Sequence, residues 1–222
     1  MKSTNDVIEK IVSLEWEMFI AVNEGEERAS CQEDRATFEG MRIAQFREWS
    51  LQAAQAYLDD LETALAAGRN LVEEKYIHMM RTTEPTRYAA LLPGVVLPTG
   101  AARDLALEVS GLLLEQTRIL FEEYPYVSGQ GRPLYSTLDY SGISVETYQF
   151  GELLTYSEKT LSALKDHLLA LEKNNISLAR NILERTVKFY GYDSLEAAEA
   201  ATKEHIDKEG IQITYGCRAC DE

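Results

Sequence analysis

ASCQEDRATFEGMRIAQFREW, residues 29–49, is the stretch from which the rest of the chain is read. It contains no proline, and its apolar residues recur at helical spacing. Ser30 and Glu33 form an S-x-x-E capping box, in which hydroxyl and carboxylate satisfy free amides reciprocally. After Ser30 nothing strong breaks the helix before Gly68; Gly40 only weakens it. The expectation is one helix of roughly 35 residues, about 50 Å long. It would carry Phe38, Met41, Trp49, Ala53 and Ala56 on one side and Ile43, Leu51, Leu58, Leu61 and Leu65 on the other. A helix apolar on two sides belongs at the centre of a bundle.

The same periodicity predicts helices over about 6–22, 70–82, 101–123, 144–172 and 177–190, with a last one from Ser194 to just before Gly210. Residues 91–100, LLPGVVLPTG, read as a loop. So do residues 124–144, a stretch long enough to suggest a lid or binding loop. Five prolines and 13 glycines in 222 residues favour helix over sheet. The fold class expected is all-α: a single-domain helical bundle of about six to seven helices over residues 1–209, followed by a tail, 210–222, that holds Cys217-x-x-Cys220.

A formal charge of −15 argues against nucleic acid and anionic membrane as partners, since phosphate binding needs clustered Lys and Arg. No apolar run reaches the roughly 18–20 residues of a membrane span, and MKSTNDVIEK lacks the apolar stretch of a signal peptide. Three cysteines, an odd number, fit a reducing cytoplasm better than a disulfide scaffold.

The opening stretch contains an oddity. Wound as a helix, it sets Arg42 and Gln45 on the stripe of Phe38, Met41 and Trp49. Similar intrusions recur: Glu15 within the arc of Val7, Ile11, Met18 and Phe19, Lys75 and His78 beside Leu71 and Met79, and Tyr156 on the face of Phe150, Leu153 and Leu164. A buried charge deprived of its partner costs about 3–5 kcal/mol, so isolated burial is implausible. Either Glu15 and Glu152 pair with Arg42 and Lys75 as a structural network, or these groups line a wet pocket that receives a ligand.

On the pocket reading, Arg42, Gln45, His78 and Arg132 bind the ligand, Trp49 is an apolar wall, and the loop around Arg132 and Asp139 covers the site. Arg42 offers a planar fork for a carboxylate or phosphate. Lys75, Tyr156, Glu15 and Glu152 are the candidate acid–base groups, Lys75 through a pKa lowered by burial. Each has a plainer reading: Arg42 bridged to Glu15, Lys75 snorkelling to water, His78 a satisfied core histidine, Glu74 in a surface contact with His78. Cys31, at the start of the helix, is a reactive thiol or an incidental one. Cys217 and Cys220 are half a zinc site at most. The chain lacks paired Glu-x-x-His motifs, a dinucleotide fingerprint, a Walker motif, G-x-S-x-G and H-E-x-x-H. No metal and no cofactor is implied.

The blocks EWEMF (15–19), SCQEDRATFEGMRIAQF (30–46), GRNLVEEKYIHMM (68–80), GRP (131–133) and ETYQFGELLTYSEKTL (146–161) together resemble a bacterial family catalogued as domain of unknown function 4125. The likeness covers roughly residues 5–195 and leaves out the cysteine tail. It implies a cytosolic bacterial protein and supplies no reaction. The expected function is binding, with or without transformation, of a small anionic metabolite in a polar pocket, and a homo-oligomer is compatible with it. The alternative is a non-catalytic regulatory or protein-interaction module with an internal ion-pair network.

Overall fold

Serine, threonine, asparagine and aspartate side chains start most of the helices, and they do so by accepting amides that the first turn leaves unpaired. The computed structural model describes residues 3–22 and 32–210. Ser3 caps α1 (Thr4–Ile20) in a full capping box with Asp6. Asp34 caps α2 (Arg35–Phe46), Ser50 caps α3 (Leu51–Ala66) and Asn70 caps α4 (Leu71–Thr83). Thr99 opens α6 (Gly100–Glu123), Ser144 opens α8 (Val145–Leu153) and Ser157 opens α9 (Glu158–Glu172). Ser177 and Ser194 cap α10 (Leu178–Phe189) and α11 (Leu195–Glu209). Two short helices, α5 (Pro85–Leu91) and α7 (Pro125–Ser128), begin with a proline, whose missing N–H is no loss at that position. Gly210 ends α11 in the left-handed region, at φ 64°.

The described residues are all-α and contain no strand. There are more helices than the six to seven expected, for two reasons. Segments read as loops contain α7 and 3-10 turns at Leu92–Gly94 and Ser136–Ser141, and α5 occupies the stretch left unassigned between the helix expected over 70–82 and the loop at 91–100. In addition, two long helices are each broken at a serine. The central helix expected from Ser30 to Gly68 starts at Arg35 and stops at Phe46; after a turn, Ser50 starts α3. Ser30 lies outside the described residues, and Glu33 sits in the turn ahead of α2. The helix expected over 144–172 breaks between Leu153 and Glu158. Tertiary partners absorb the freed backbone groups: His167 Nε2 lies 2.7 Å from the Glu48 carbonyl at the first break. At the second, Asp60 accepts from the Ser157 amide (2.9 Å) and the Thr160 hydroxyl (2.7 Å).

The first break also resets the phase of the apolar stripes. Met41, Leu51 and Leu65 are exposed, whereas Ala53, Ala54, Tyr57, Leu58 and Leu61 are buried. The central place goes to α3, which packs between α1 and α9. Helix α6 lies on α8 and α9, α4 lies on α8 and α1, and α10 bridges α2 and α6. Gln32 Nε2 donates to the carbonyls of Phe19 (2.8 Å) and Val22 (2.9 Å), tying the approach to α2 to the end of α1. A smaller apolar cluster, Val187, Leu195 and Ala198, holds α11 to α10 and α7. Among the described residues no helix is long and apolar enough to cross a membrane.

Candidate functional site

Four charged side chains from four helices meet inside the bundle. Glu15 comes from α1, Arg42 from α2, Lys75 from α4 and Glu152 from α8. Each is between 2% and 8% exposed, so none is a surface group bent inwards. Arg42 Nε donates to Glu15 Oε2 at 2.6 Å, and its Nη2 donates to Glu15 Oε1. The same Nη2 reaches Glu152 Oε1 at 2.9 Å, while Nη1 donates to Gln45 Oε1 at 2.9 Å. Lys75 Nζ donates to Glu152 Oε2 (3.2 Å) and to the Tyr148 hydroxyl (2.7 Å). Two further tyrosines donate to the carboxylates: Tyr57 to Glu15 Oε1 and Tyr156 to Glu152 Oε1, each at 2.7 Å.

The result is an alternating row of acid and base, Glu15, Arg42, Glu152, Lys75, with two charges of each sign. All four carboxylate oxygens accept from a protein donor. Aromatic rings wrap the row: the Arg42 guanidinium lies 4.8 Å from the Phe46 ring centre. Trp49 stands edge-on to Phe46 and to Tyr156. Trp49, expected as an apolar wall of a ligand pocket, packs here against protein rings.

Burial and charge pull the protonation equilibria in opposite directions, and charge prevails. Burial alone would lower the Arg42 and Lys75 pKa values, but Glu15 and Glu152 hold the guanidinium well above its usual range and Glu152 raises the ammonium. Burial would raise Glu152; Arg42 and Lys75 bring its carboxylate well below the usual range. Burial and the neighbouring carboxylates push Tyr57 and Tyr156 up together. Lys75, Tyr57 and Tyr156 therefore keep their protons and Glu152 stays ionised at neutral pH. The lowered Lys75 pKa expected from burial is corrected: Glu152, within hydrogen-bond reach of the ammonium, raises it instead. Nor does Lys75 snorkel.

The remaining candidates fall around this row. Arg132 lies outside it, donating to the Ile143 carbonyl (3.1 Å), with its guanidinium 4.6 Å from the centre of the Tyr148 ring. Lys75 Nζ is 4.2 Å from that ring, so two cations share Tyr148. Asp139 anchors the loop, accepting from the Ser144 amide (2.8 Å) and the Thr147 hydroxyl (2.7 Å). His78 is buried next to the Tyr88 ring, and among the described residues neither ring nitrogen has a hydrogen-bond partner. The satisfied core histidine expected is therefore an unsatisfied one, and burial, helped by Arg81, lowers its pKa to about 4. Glu74 does not pair with His78; it is buried against Arg69, at 2.8 and 2.6 Å. Cys31, Cys217 and Cys220 lie outside the described residues. Among those described, no group of three or more His, Cys, Asp or Glu is placed to hold a metal ion.

Sequence reasoning missed Tyr57, Tyr148 and Gly151. Tyr148, Glu152 and Tyr156 recur every fourth residue, and Tyr57 lies four residues from both Ala53 and Leu61, so spacing carried a signal. Gly151 was legible only as an isolated helical glycine. A Cβ there would stand 2.9 Å from Met79 Cγ and 3.2 Å from the Lys75 carbonyl oxygen. The bare backbone lets α8 approach α4 closely enough for Glu152 to reach Lys75. Gly151→Ala is expected to cost about 1–3 kcal/mol through overpacking, despite alanine's better helix propensity. A urea midpoint equal to or above wild type would refute the close-approach argument.

A groove of about 420 Å³ opens where α8 gives way to α9, and Tyr156 forms part of its wall with Asp60, Arg69 and Lys159.

The model of one protein family, described as protein of unknown function (DUF4125), matches residues 5–200. No curated protein and no solved structure matches the chain.

Proposed function

We propose, from the premise that this chain belongs to the family of unknown function DUF4125, that it is a non-catalytic protein-interaction module with an internal ion-pair network that fixes its packing. The observation that carries this reading is saturation: every carboxylate oxygen of Glu15 and Glu152 is already taken by a protein donor. A ligand entering there would have to displace charge-assisted hydrogen bonds worth about 1.5–3 kcal/mol each. Buried polar networks with a fixed partner for each atom favour one packing over its alternatives, a role attested for interior polar groups in some folds. The work of the molecule would then lie on its outer faces, in a cytoplasmic setting suited to its three cysteines.

A second reading, binding of a small anionic metabolite, has its own support in the groove at the α8–α9 break. Its volume of about 420 Å³ falls in the range of small-molecule sites. Arg69 and Lys159 line it together with Asp60 and Glu158, the two cations being paired with Glu74 and Asp59, and Tyr156 connects its wall to Glu152.

Thermal unfolding across a panel of carboxylates and phosphate esters separates the two. A true ligand at about a hundred times its Kd adds about 2.7 kcal/mol, a readily visible rise in melting temperature. On the interaction reading, no anion gives a saturable rise, and a stoichiometric protein partner co-purifies. A saturable rise that Lys159→Ala weakens would displace this reading in favour of the second.

A further inference from the structure

A second groove, away from the buried network, lies between α2 and α10. Its volume is about 530 Å³; Gly40, Ile43, Ala44 and Phe189 line it, and Arg47, Arg185 and Lys188 contribute positive charge. Gly40 shapes it. The Phe189 ring rests where a Cβ at position 40 would stand, with Cε2 only 2.3 Å from that point. Even so, Phe189 remains 44% exposed, beside exposed Met41 and Tyr190. Aromatic residues, Met and Arg are the types enriched where protein partners bury surface against each other.

Charge selects the partner. Arg185 is engaged with Glu48, which also accepts from Asn181 at 3.0 Å, and this holds α10 against the end of α2. Glu39, the acidic residue of the lining, is paired with Arg35 at 2.8 Å. Among the described residues, neither Arg47 nor Lys188 has a carboxylate within 4.0 Å. On a chain of formal charge −15, this is a local excess of positive charge around an apolar floor. We infer that the groove docks an acidic segment of a partner protein, with one apolar side chain seated between Ile43 and Phe189 and carboxylates against Arg47 and Lys188. The inference rests on the interaction reading and names the surface and the partner chemistry for it.

The test uses a phage-displayed library of random peptides selected on the intact chain. Enrichment of sequences rich in Asp and Glu around one aliphatic or aromatic residue is expected. Resynthesised with a fluorophore, these peptides should bind at least about tenfold more weakly to an Arg47→Glu, Lys188→Glu chain, since both attractive contacts become repulsive. Both residues are exposed, so the variant folds. Affinity should also fall with added salt, and Phe189→Ala should weaken binding without changing that salt dependence. An enriched set with no acidic bias, or no enrichment at all, overturns the inference. Tight acidic peptides that ignore the charge reversal also overturn it, while leaving the interaction reading intact. A concentration-dependent dimer abolished by the charge reversal would make a second copy of this chain the occupant, and would likewise overturn it.

Discussion

Arg42→Ala is expected to lower the unfolding free energy by about 3–5 kcal/mol, the largest effect of any single substitution in the network. Among the described residues the guanidinium is the one group that touches both carboxylates, through Nε and Nη2 to Glu15 and through Nη2 to Glu152. Its removal leaves two buried acids of like charge, and only Glu152 retains a cation, in Lys75. Lys75→Met should cost less, about 1–3 kcal/mol, because Glu152 keeps Arg42 and Tyr156 while Tyr148 loses only one donor. The comparison needs urea unfolding of both variants at neutral pH. A loss below about 1 kcal/mol for Arg42→Ala would mean that the guanidinium is solvated in solution, where exposed pairs contribute little.

The second large effect is on acid stability, and it centres on His78. Its pKa falls from 6.5 in the unfolded chain to about 4 in the folded one, because burial and then Arg81 oppose the imidazolium. Between those values the unfolded chain binds more protons, so stability drops as pH falls from about 6.5 towards 4, by at most about 3 kcal/mol, and no further below that. Glu152 acts in a lower window. Its folded pKa is depressed from 4.5, so its contribution is present above about pH 4.5 and is lost only in stronger acid. His78→Leu should therefore flatten the stability curve between about pH 6.5 and 4 while leaving the steeper loss in stronger acid. It should also stabilise the neutral protein by about 1–2 kcal/mol, since two buried nitrogens without partners are replaced by carbon. Parallel pH–stability curves for variant and wild type would show that some other group governs the upper window.

Much of the buried row was legible as an anomaly before it was legible as a site. Glu15, Arg42 and Lys75 stood out because each interrupts an apolar face, and a charge in that position needs a partner; Glu152 entered as a candidate for that partner. Tyr57 and Tyr148 did not stand out, since a phenol on an apolar stripe is unremarkable until its hydroxyl finds a carboxylate. The two broken helices were misread for a local reason. Ser50 and Ser157 are followed three residues later by Ala53 and Thr160, so neither shows the capping-box pattern, whereas Ser30 and Glu33 show it ahead of a helix that begins at Arg35.

Residue order alone determined the helical class and several of the caps, such as Ser144 and Ser194, because these depend on neighbours within one or two turns. Which acid meets which base was decided only in three dimensions. Arg42 lies 27 residues from Glu15 and 110 from Glu152, and Lys75 lies 77 from Glu152. No local pattern encodes a pairing over such separations. The pairing follows from how closely α8 can approach α4 at Gly151, and from the turns at Ser50 and Ser157 that set the phase of each inward face.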